Sequence, residues 1–154
     1  MAIEIKVLQR GDDCVLRNVA AGVFDNAIDA GLTREFLEDP RHHIAVAIDD
    51  GLVVGFASGV HYIHPDKPAE LWINEVAMAP THRRRGLGKA VLKALLEVGQ
   101  VHGCKVAWVL TDRNNVAAMA LYAAAGGTEG ADDTGPADAM IGYSFRLKNA
   151  ENEP

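Results

Sequence analysis

The sequence is organised around one ten-residue stretch, Pro80-Thr81-His82-Arg83-Arg84-Arg85-Gly86-Leu87-Gly88-Lys89. It holds four of the fifteen basic residues within seven positions, in a chain of 154 residues whose formal net charge is −6. The two glycines allow the backbone to approach a ligand closely, and the first amides of a helix beginning here carry the positive end of its dipole. The stretch therefore predicts a polyanion site, with a basic helix end that is merely solvated as the alternative.

The segments on either side give this stretch its structural context. Residues 70–79, ELWINEVAMA, predict a strand, and residues 86–102 predict an amphipathic helix that ends before Gly103. Two common phosphate-binding turns do not fit. A P-loop requires Ser or Thr where Ala90 follows the lysine, and a dinucleotide-binding turn requires a third glycine where Val91 stands. The pattern favours a polyanion site of another type, between a strand and a helix.

Hydrophobic periodicity predicts the remaining elements. A hairpin through Asp-Gly joins two strands, Thr33 is the expected N-cap of the second helix, and the two prolines of residues 61–69 indicate a loop. The apolar run at residues 105–110 predicts a strand covered on both faces. Strands are predicted at residues 3–8, 43–48, 52–57, 70–79, 105–110 and 140–147, and helices at residues 12–22, 32–38, 86–102 and 115–125. This order predicts a mixed α/β (α+β) domain, with helices on both faces of a mostly antiparallel central sheet.

Composition limits the class of protein. The acidic balance argues against a general nucleic-acid binder, and no apolar run approaches the roughly 20 residues of a membrane span. The first residues do not resemble a secretory signal, and Cys14 and Cys104 are expected to be free thiols. We therefore expect a cytoplasmic protein with one domain over residues 1–148 and a polar tail over residues 149–154.

Two motifs carry a family resemblance. Arg83-x-x-Gly86-x-Gly88 follows a predicted strand, and Asn115-x-x-Ala118-x-x-Leu121-Tyr122 lies on a later predicted helix. Together they resemble the acetyl-CoA signature of the GCN5-related N-acetyltransferase (GNAT) superfamily, except that Gly127 stands where an aromatic residue is common. The resemblance implies a GNAT fold, acetyl-CoA as co-substrate, no metal, and a central sheet that splays open at the acetyl-CoA cleft.

The resemblance also implies which residues bind acetyl-CoA. The edge of the strand would pair with the pantetheine amides, the basic turn would bind the diphosphate, and the later helix would contact the pantetheine arm. The implied cofactor-binding residues are Val76, Ala77, Met78, Arg83, Arg84, Arg85, Gly86, Leu87, Gly88, Lys89, Asn115, Ala118 and Tyr122.

Two side chains are implied as catalytic. An alkyl amine has a pKa of about 10.4, so only about one molecule in a thousand carries the free lone pair at pH 7, and a base is needed. The resemblance implies that Glu75 is this base and that the hydroxyl of Tyr122 protonates or hydrogen-bonds the leaving thiolate. The alternatives are a solvated strand acid and a core tyrosine.

Acidic segments suggest a cationic acceptor. Residues 18–33 and 114–145 contain acidic residues and no lysine or arginine, which favours a pocket for a polycation. The predicted substrate-binding residues are Glu75, Asp25, Asp29, Asp132 and Asp133.

The acceptor side also carries a narrower resemblance. Residues 70–79, with His82-Arg83-Arg84, resemble the small aminoglycoside 3-N-acetyltransferases, which have Asp where Glu75 stands. Acetylation of a protein amino group or a polyamine, and a non-catalytic acyl-CoA-binding sensor, are the alternatives. The sequence does not give the oligomeric state, and a homodimer is one possibility because dimers are common in similar proteins.

No metal site is predicted from the sequence. His61-x-x-His64 lies near Asp66, but in a proline-interrupted segment this spacing places no two ligands together.

Overall fold

A five-stranded sheet, with its strands in chain order, forms the centre of the molecule. The computed structural model describes residues 2–129 and 145–146. The first four strands pair with one another in antiparallel fashion, whereas the fifth is parallel to the fourth. The strands are β1 (Ile3–Val7), β2 (His42–Asp49), β3 (Leu52–Tyr62), β4 (Glu70–Met78) and β5 (Val106–Val109). The predicted mixed, mostly antiparallel sheet is confirmed.

In the described residues three α-helices flank the sheet: α1 (Ala30–Glu38), α2 (Leu87–Val101) and α3 (Val116–Ala124). Two short 3₁₀ helices cover Asp13–Arg17 and Pro80–His82. None of the helices in the described part of the chain is long and apolar enough to cross a membrane.

The core lies on both faces of β3. On one face α2 buries Val91, Leu92 and Leu95 completely or almost so. On the other face Phe24 stacks on Phe56, with ring centroids 4.2 Å apart. Because side chains alternate along a strand, α2 and the segment that carries Phe24 pack on opposite faces of β3.

Two glycine predictions are confirmed. The hairpin between β2 and β3 turns through Asp50 and Gly51, at φ 50° and 80°, as a two-residue turn with positive φ at both positions requires. Helix α2 ends before Gly103, at φ 81°, where the amide of Cys104 donates to the carbonyl of Gly99 at 3.0 Å. This bond closes the last turn of the helix.

Two helix predictions in the first third of the chain are wrong in detail. The helix predicted over residues 12–22 is only a 3₁₀ helix, because the backbone after it bonds to β3 instead: the amide of Ala20 donates to the carbonyl of Val53 at 2.9 Å. Thr33 is not an N-cap. Helix α1 begins at Ala30, since the carboxylate of Asp29 accepts from the amide of Leu32 at 2.8 Å and satisfies the first turn.

Two strand predictions also need correction. Strand β3 continues to Tyr62, into the predicted loop, because it pairs there with the first residues of β4. β5 is not covered on both faces: Val106 is 38% exposed, and this strand is the last in the described sheet. The strand predicted at residues 140–147 lies outside the described residues, apart from Phe145 and Arg146, which have no regular secondary structure.

Candidate active site

An extra residue in β4 determines the direction of Glu75. Ile73 pairs with Gly59 and Glu75 pairs with Ser58, so two steps along β4 match one step along β3. Asn74 is therefore the additional residue of a β-bulge. Bulges change the side to which the following side chains point, and this one occurs where the resemblance implies a catalytic base.

The bulge turns Glu75 away from α2. A Cβ at Gly59 would lie 3.4 Å from Leu95 of α2, so Gly59 and its partner Ile73 are on the α2 side of the sheet. Ser58 is one residue earlier and therefore on the opposite side, together with its partner Glu75. With regular alternation through Asn74 and no bulge, Glu75 would share the face of Ile73 and point under the helix.

The carboxyl of Glu75 is exposed, but its pKa is shifted. Partial burial and the charge of Asp25 both raise the pKa of Glu75 above its usual value. When its charged form is destabilised, a carboxylate binds a proton more tightly. Glu75 is therefore accessible to a substrate and tuned toward proton acceptance.

β4 has an open edge beyond the bulge. β5 pairs with β4 only from Glu70 to Ile73, whereas β3 continues to pair with β4 as far as Met78. Within the described residues, the edge of residues 74–78 on the β5 side has no strand partner. Such an edge presents peptide N–H and C=O groups to a strand-like ligand. It contains the predicted cofactor-binding residues Val76, Ala77 and Met78, and this geometry is the predicted splay.

The basic turn leads directly from this edge into α2. Arg84 and Gly86 have left-handed backbones, with φ 61° and 75°. The first backbone hydrogen bond of the helix runs from the amide of Ala90 to the carbonyl of Gly86 at 3.1 Å, so the amides of residues 87–89 precede the helical ladder and have no acceptor within it. The arginines at 83–85 and Lys89 are exposed beside these amides. The structure thus places backbone donors, helix dipole and four cations together, a constellation suited to a diphosphate.

A hydrogen-bonded pair that sequence reasoning missed anchors the turn. Nε2 of His82 donates to Oδ2 of Asp49 at 2.7 Å, and the hydroxyl of Thr81 lies 2.7 Å from Nδ1 of the same ring. Asp49 is the last residue of β2, so the pair ties the start of the basic turn to the sheet. Since its partners are 33 residues apart, no local sequence signal identifies it.

Helix α3 brings the second motif to the same end of α2. A Cβ at Gly88 would lie 3.5 Å from the methyl groups of Leu121, so α3 packs against the first turn of α2. Tyr122 is half-buried, and burial raises its pKa, so its hydroxyl stays protonated and able to donate. Asn115 caps α3, because its side-chain oxygen accepts from the amide of Ala118 at 3.1 Å. Within the described residues its side-chain NH₂ group has no hydrogen-bond acceptor and is available as a donor.

A cavity of about 580 Å³ lies beside the first third of the chain. Asp25, Arg17 and Phe24 are among its lining residues. Asp25 is thus shared between this cavity and the surroundings of Glu75, and its role as an acceptor-binding residue stays a prediction. Asp29 does not line the cavity, and its carboxylate caps α1. Asp132 and Asp133 lie outside the described residues.

The open edge of β4, the basic turn with its backbone amides and Glu75 on the same strand form a candidate acyl-CoA site, and the family comparison agrees with it. The model of the acetyltransferase (GNAT) family matches residues 16–126. The chain belongs to this family, and its fold is the GNAT fold.

Curated relatives differ in their acceptors. An L-2,4-diaminobutyric acid acetyltransferase of Nocardia farcinica is 36% identical over 89 residues, which are 58% of this chain and 45% of that protein. The N-alpha-acetyltransferase RimI of Mycobacterium tuberculosis is 33% identical over 97 residues, 63% of this chain and 58% of that protein. The chain thus matches about half the length of these relatives.

Several solved structures with the same fold are named for another acceptor class. An aminoglycoside acetyltransferase, HMB0005, from an uncultured soil metagenomic sample has a TM-score of 0.74 at 21% identity, covering 96% of this chain and all of that one. AAC(6')-Iy, bound to the bisubstrate analogue CoA-S-monomethyl-acetylneamine, has a TM-score of 0.75 at 19% identity over the same shares. The position in this name is 6′, not the 3-N position that the sequence resemblance implies.

Proposed function

We propose that this chain transfers the acetyl group of acetyl-CoA to an amino group of an aminoglycoside. The observation that carries the proposal is the bulge at Asn74, which turns Glu75 out of the α2 layer and toward Asp25, next to the open edge of β4. Two carboxylates at one acceptor site favour a substrate with several ammonium groups.

The described residues offer partners for two polar parts of acetyl-CoA, its diphosphate and its pantetheine amides. The amides of residues 87–89 and the arginines at 83–85 would hold the diphosphate, and the open edge of residues 76–78 would pair with the pantetheine amides. Acetyl-CoA supplies the acetyl group already activated as a thioester. The NH₂ group of Asn115 is a further donor toward the pantetheine arm.

The chain's own groups complete the transfer. Glu75 accepts a proton from the acceptor ammonium, directly or through water, so that the nitrogen attacks with a free lone pair. The C–N bond forms as the C–S bond breaks. The amide of Val76 stabilises the charge on the carbonyl oxygen, and the hydroxyl of Tyr122 donates to the leaving sulfur. The nitrogen loses its second proton as the amide forms, and this proton reaches the leaving thiolate through water and the Tyr122 hydroxyl. The proton held by Glu75 passes to solvent.

A small diamino acid is the second candidate acceptor. L-2,4-Diaminobutyrate is the substrate named for a relative that is 36% identical, and it carries a carboxylate as well as two amines. Arg17 lines the same cavity as Asp25, and its ion pair with Asp13 is long, at 3.9 Å, and exposed. Arg17 is thus free to bind an acceptor carboxylate, which an aminoglycoside lacks.

An acceptor panel tests the proposal. The purified chain is incubated with acetyl-CoA and one of four acceptors: aminoglycosides, diaminobutyrate, a polyamine and an N-terminal peptide. Released thiol is measured, and the acetylated position is determined by NMR. Thiol release only with aminoglycosides supports the proposal, and the product decides between the 3-N and 6′ positions. Turnover only with diaminobutyrate, the polyamine or the peptide overturns the acceptor assignment. Binding of acetyl-CoA without turnover on any acceptor indicates a sensor.

A further inference from the structure

Three histidines from different elements meet at the end of the molecule away from the basic turn. They are His43 on β2, His61 on β3 and His102 directly after α2. One side-chain nitrogen from each lies within 4.8 Å of the other two. Nε2 of His43 is 2.7 Å from Nδ1 of His61, and the ring of His102 stacks on that of His61 with centroids 4.4 Å apart.

The fold holds these rings in place. His43 and His61 are each only 9% exposed, on adjacent antiparallel strands of the core. His102 is exposed at the C-cap of α2, where Gly103 ends the helix and fixes its last turn. The cluster is therefore rigid on two sides and open to solvent on the third.

Burial keeps the two inner rings neutral. It lowers the pKa of His43 to about 4, with help from His61 and His102, and it also lowers the pKa of His61. Among neighbouring charges, Asp39 opposes these shifts and His42 reinforces them. A neutral imidazole keeps one nitrogen lone pair, which is the form that binds metal ions.

We propose that His43, His61 and His102 form a binding site for a divalent transition-metal ion, with Zn²⁺ as the best match. Imidazole nitrogens are preferred zinc ligands, and three histidines with one open position form a known tetrahedral arrangement. With Zn–N bonds of about 2.0–2.1 Å, the ligand nitrogens of a tetrahedral site are about 3.3 Å apart. The observed spacings, from 2.7 Å to at most 4.8 Å, bracket this value.

Zinc binding requires the side chains to turn, because the rings of His43 and His102 are each stacked on that of His61, and it requires a rearrangement of protons. In the metal-free cluster, one of Nε2 of His43 and Nδ1 of His61 carries the hydrogen that they share. When both nitrogens bind the ion, that hydrogen moves to the other nitrogen of its own ring, so both imidazoles remain neutral. His102 supplies the third nitrogen, and water completes the coordination from the exposed side.

The position implies a structural ion rather than a catalytic one. Helix α2 has 15 residues and spans about 22 Å, with the basic turn at its beginning and His102 after its end. An ion in the cluster would tie β2, β3 and α2 together. Since it would bind the folded chain and not the unfolded one, it stabilises the fold by mass action.

Zinc titration of the full chain tests this site. The protein carries no polyhistidine tag, is stripped with EDTA and dialysed, and is then titrated with ZnCl₂ by calorimetry and by thermal unfolding. We expect one Zn²⁺ per chain and a Tm that rises with zinc concentration. In H102Q, whose altered side chain is exposed and leaves the core intact, zinc affinity is expected to fall at least tenfold.

The matched control is H64Q. His64 is also exposed and lies beside Asp66, a pair that is itself able to attract a cation. Retained zinc binding in H64Q supports the assignment, and loss of binding in H64Q instead of H102Q overturns it. Absence of stoichiometric zinc uptake by the unaltered chain also overturns it. Acetyl-transfer activity in EDTA reports separately on the proposed function, because the cluster is remote from that site.

Discussion

Glu75 lies within electrostatic reach of Asp25, and the two carboxylates repel each other on the sheet face opposite α2. Partial burial of Glu75 contributes more to its raised pKa, and the Asp25 charge adds to it. An acceptor ammonium bound between the two carboxylates would reduce their repulsion. It would also lie next to Glu75, the proposed proton acceptor. Acceptor binding and proton transfer are therefore coupled through one pair of residues.

Removal of the Asp25 charge is expected to change the pH dependence of the reaction. Glu75 acts as a base only when deprotonated, so the rate falls as the pH drops through its pKa. In D25N the repulsion is absent, the pKa of Glu75 falls, and the acid limb of kcat/KM moves to lower pH. The acceptor KM rises as well.

The pH profile of kcat/KM for unaltered protein, D25N and D50N checks this expectation. Asp50 is exposed in the β2–β3 turn with φ 50°, where Asn is well tolerated, so D50N controls for the loss of one acidic residue. An acid limb that stays in place or moves to higher pH in D25N contradicts the coupling.

Loss of the base itself is expected to lower turnover without affecting acetyl-CoA. In E75Q, kcat falls by about 10²–10⁴, the usual contribution of a positioned general base, while the KM for acetyl-CoA stays within about twofold. E97Q, on the exposed side of α2, serves as the control. Full activity of E75Q across the pH range would exclude Glu75 as the base.

The orientation of Glu75 is what the sequence could not provide. The strand at residues 70–79 and the residue type at 75 are local features, and the structure confirms the strand with bounds Glu70–Met78. The bulge at Asn74 arises from pairing with β3, which depends on residues more than ten positions away. Simple alternation places Glu75 beside Ile73, on the wrong face, because one extra residue reverses the side of everything after it.

Other features that depend on single residues were predicted correctly. Features that depend on contacts between distant residues were not. The turns at Gly51, Gly86 and Gly103 follow from backbone freedom at single residues, and all three have positive φ. The helix predicted at residues 12–22 was shortened by hydrogen bonds to Val53 in β3. Likewise, the histidine cluster joins residues that no spacing rule connects.

The left-handed conformation of Gly86 gives a test of the basic turn. A Cβ at this position would contact nothing within 4 Å, so G86A adds backbone strain without a clash, at a cost of about 1–2 kcal/mol. The strain alters the direction of the amides at the start of α2. We expect a lower free energy of unfolding and a several-fold higher Kd for acetyl-CoA.

G51A separates these two effects. Gly51 has φ 80° and the same empty surroundings, but it lies in the β2–β3 turn. G51A should lose a similar free energy in urea unfolding and bind acetyl-CoA normally by calorimetry. Equal Kd values for the two variants would mean that the turn does not hold the diphosphate.

Tyr122 is expected to act through its hydroxyl. Y122F keeps the ring that packs against the hydrophobic core, so Tm should change little. A hydrogen bond to a charged group contributes about 1.5–3 kcal/mol, which corresponds to a decrease in kcat of roughly 10- to 150-fold. Steady-state kinetics and thermal unfolding measured together check this. A fall in Tm that accompanies unchanged kcat would identify Tyr122 as a core residue only.

Asn115 combines a structural role with a proposed binding role, and two substitutions distinguish them. Its oxygen caps α3 at Ala118, whereas its NH₂ group is the donor proposed for the pantetheine arm. Ser is an equally good N-cap but has no NH₂ group, so N115S should keep its stability and lose acetyl-CoA affinity. N115A should lose both, with about 1 kcal/mol less stability. Urea unfolding and calorimetric titration with acetyl-CoA give the two quantities independently. If N115S binds acetyl-CoA as tightly as the unaltered chain, the motif at this position exists for the helix cap alone.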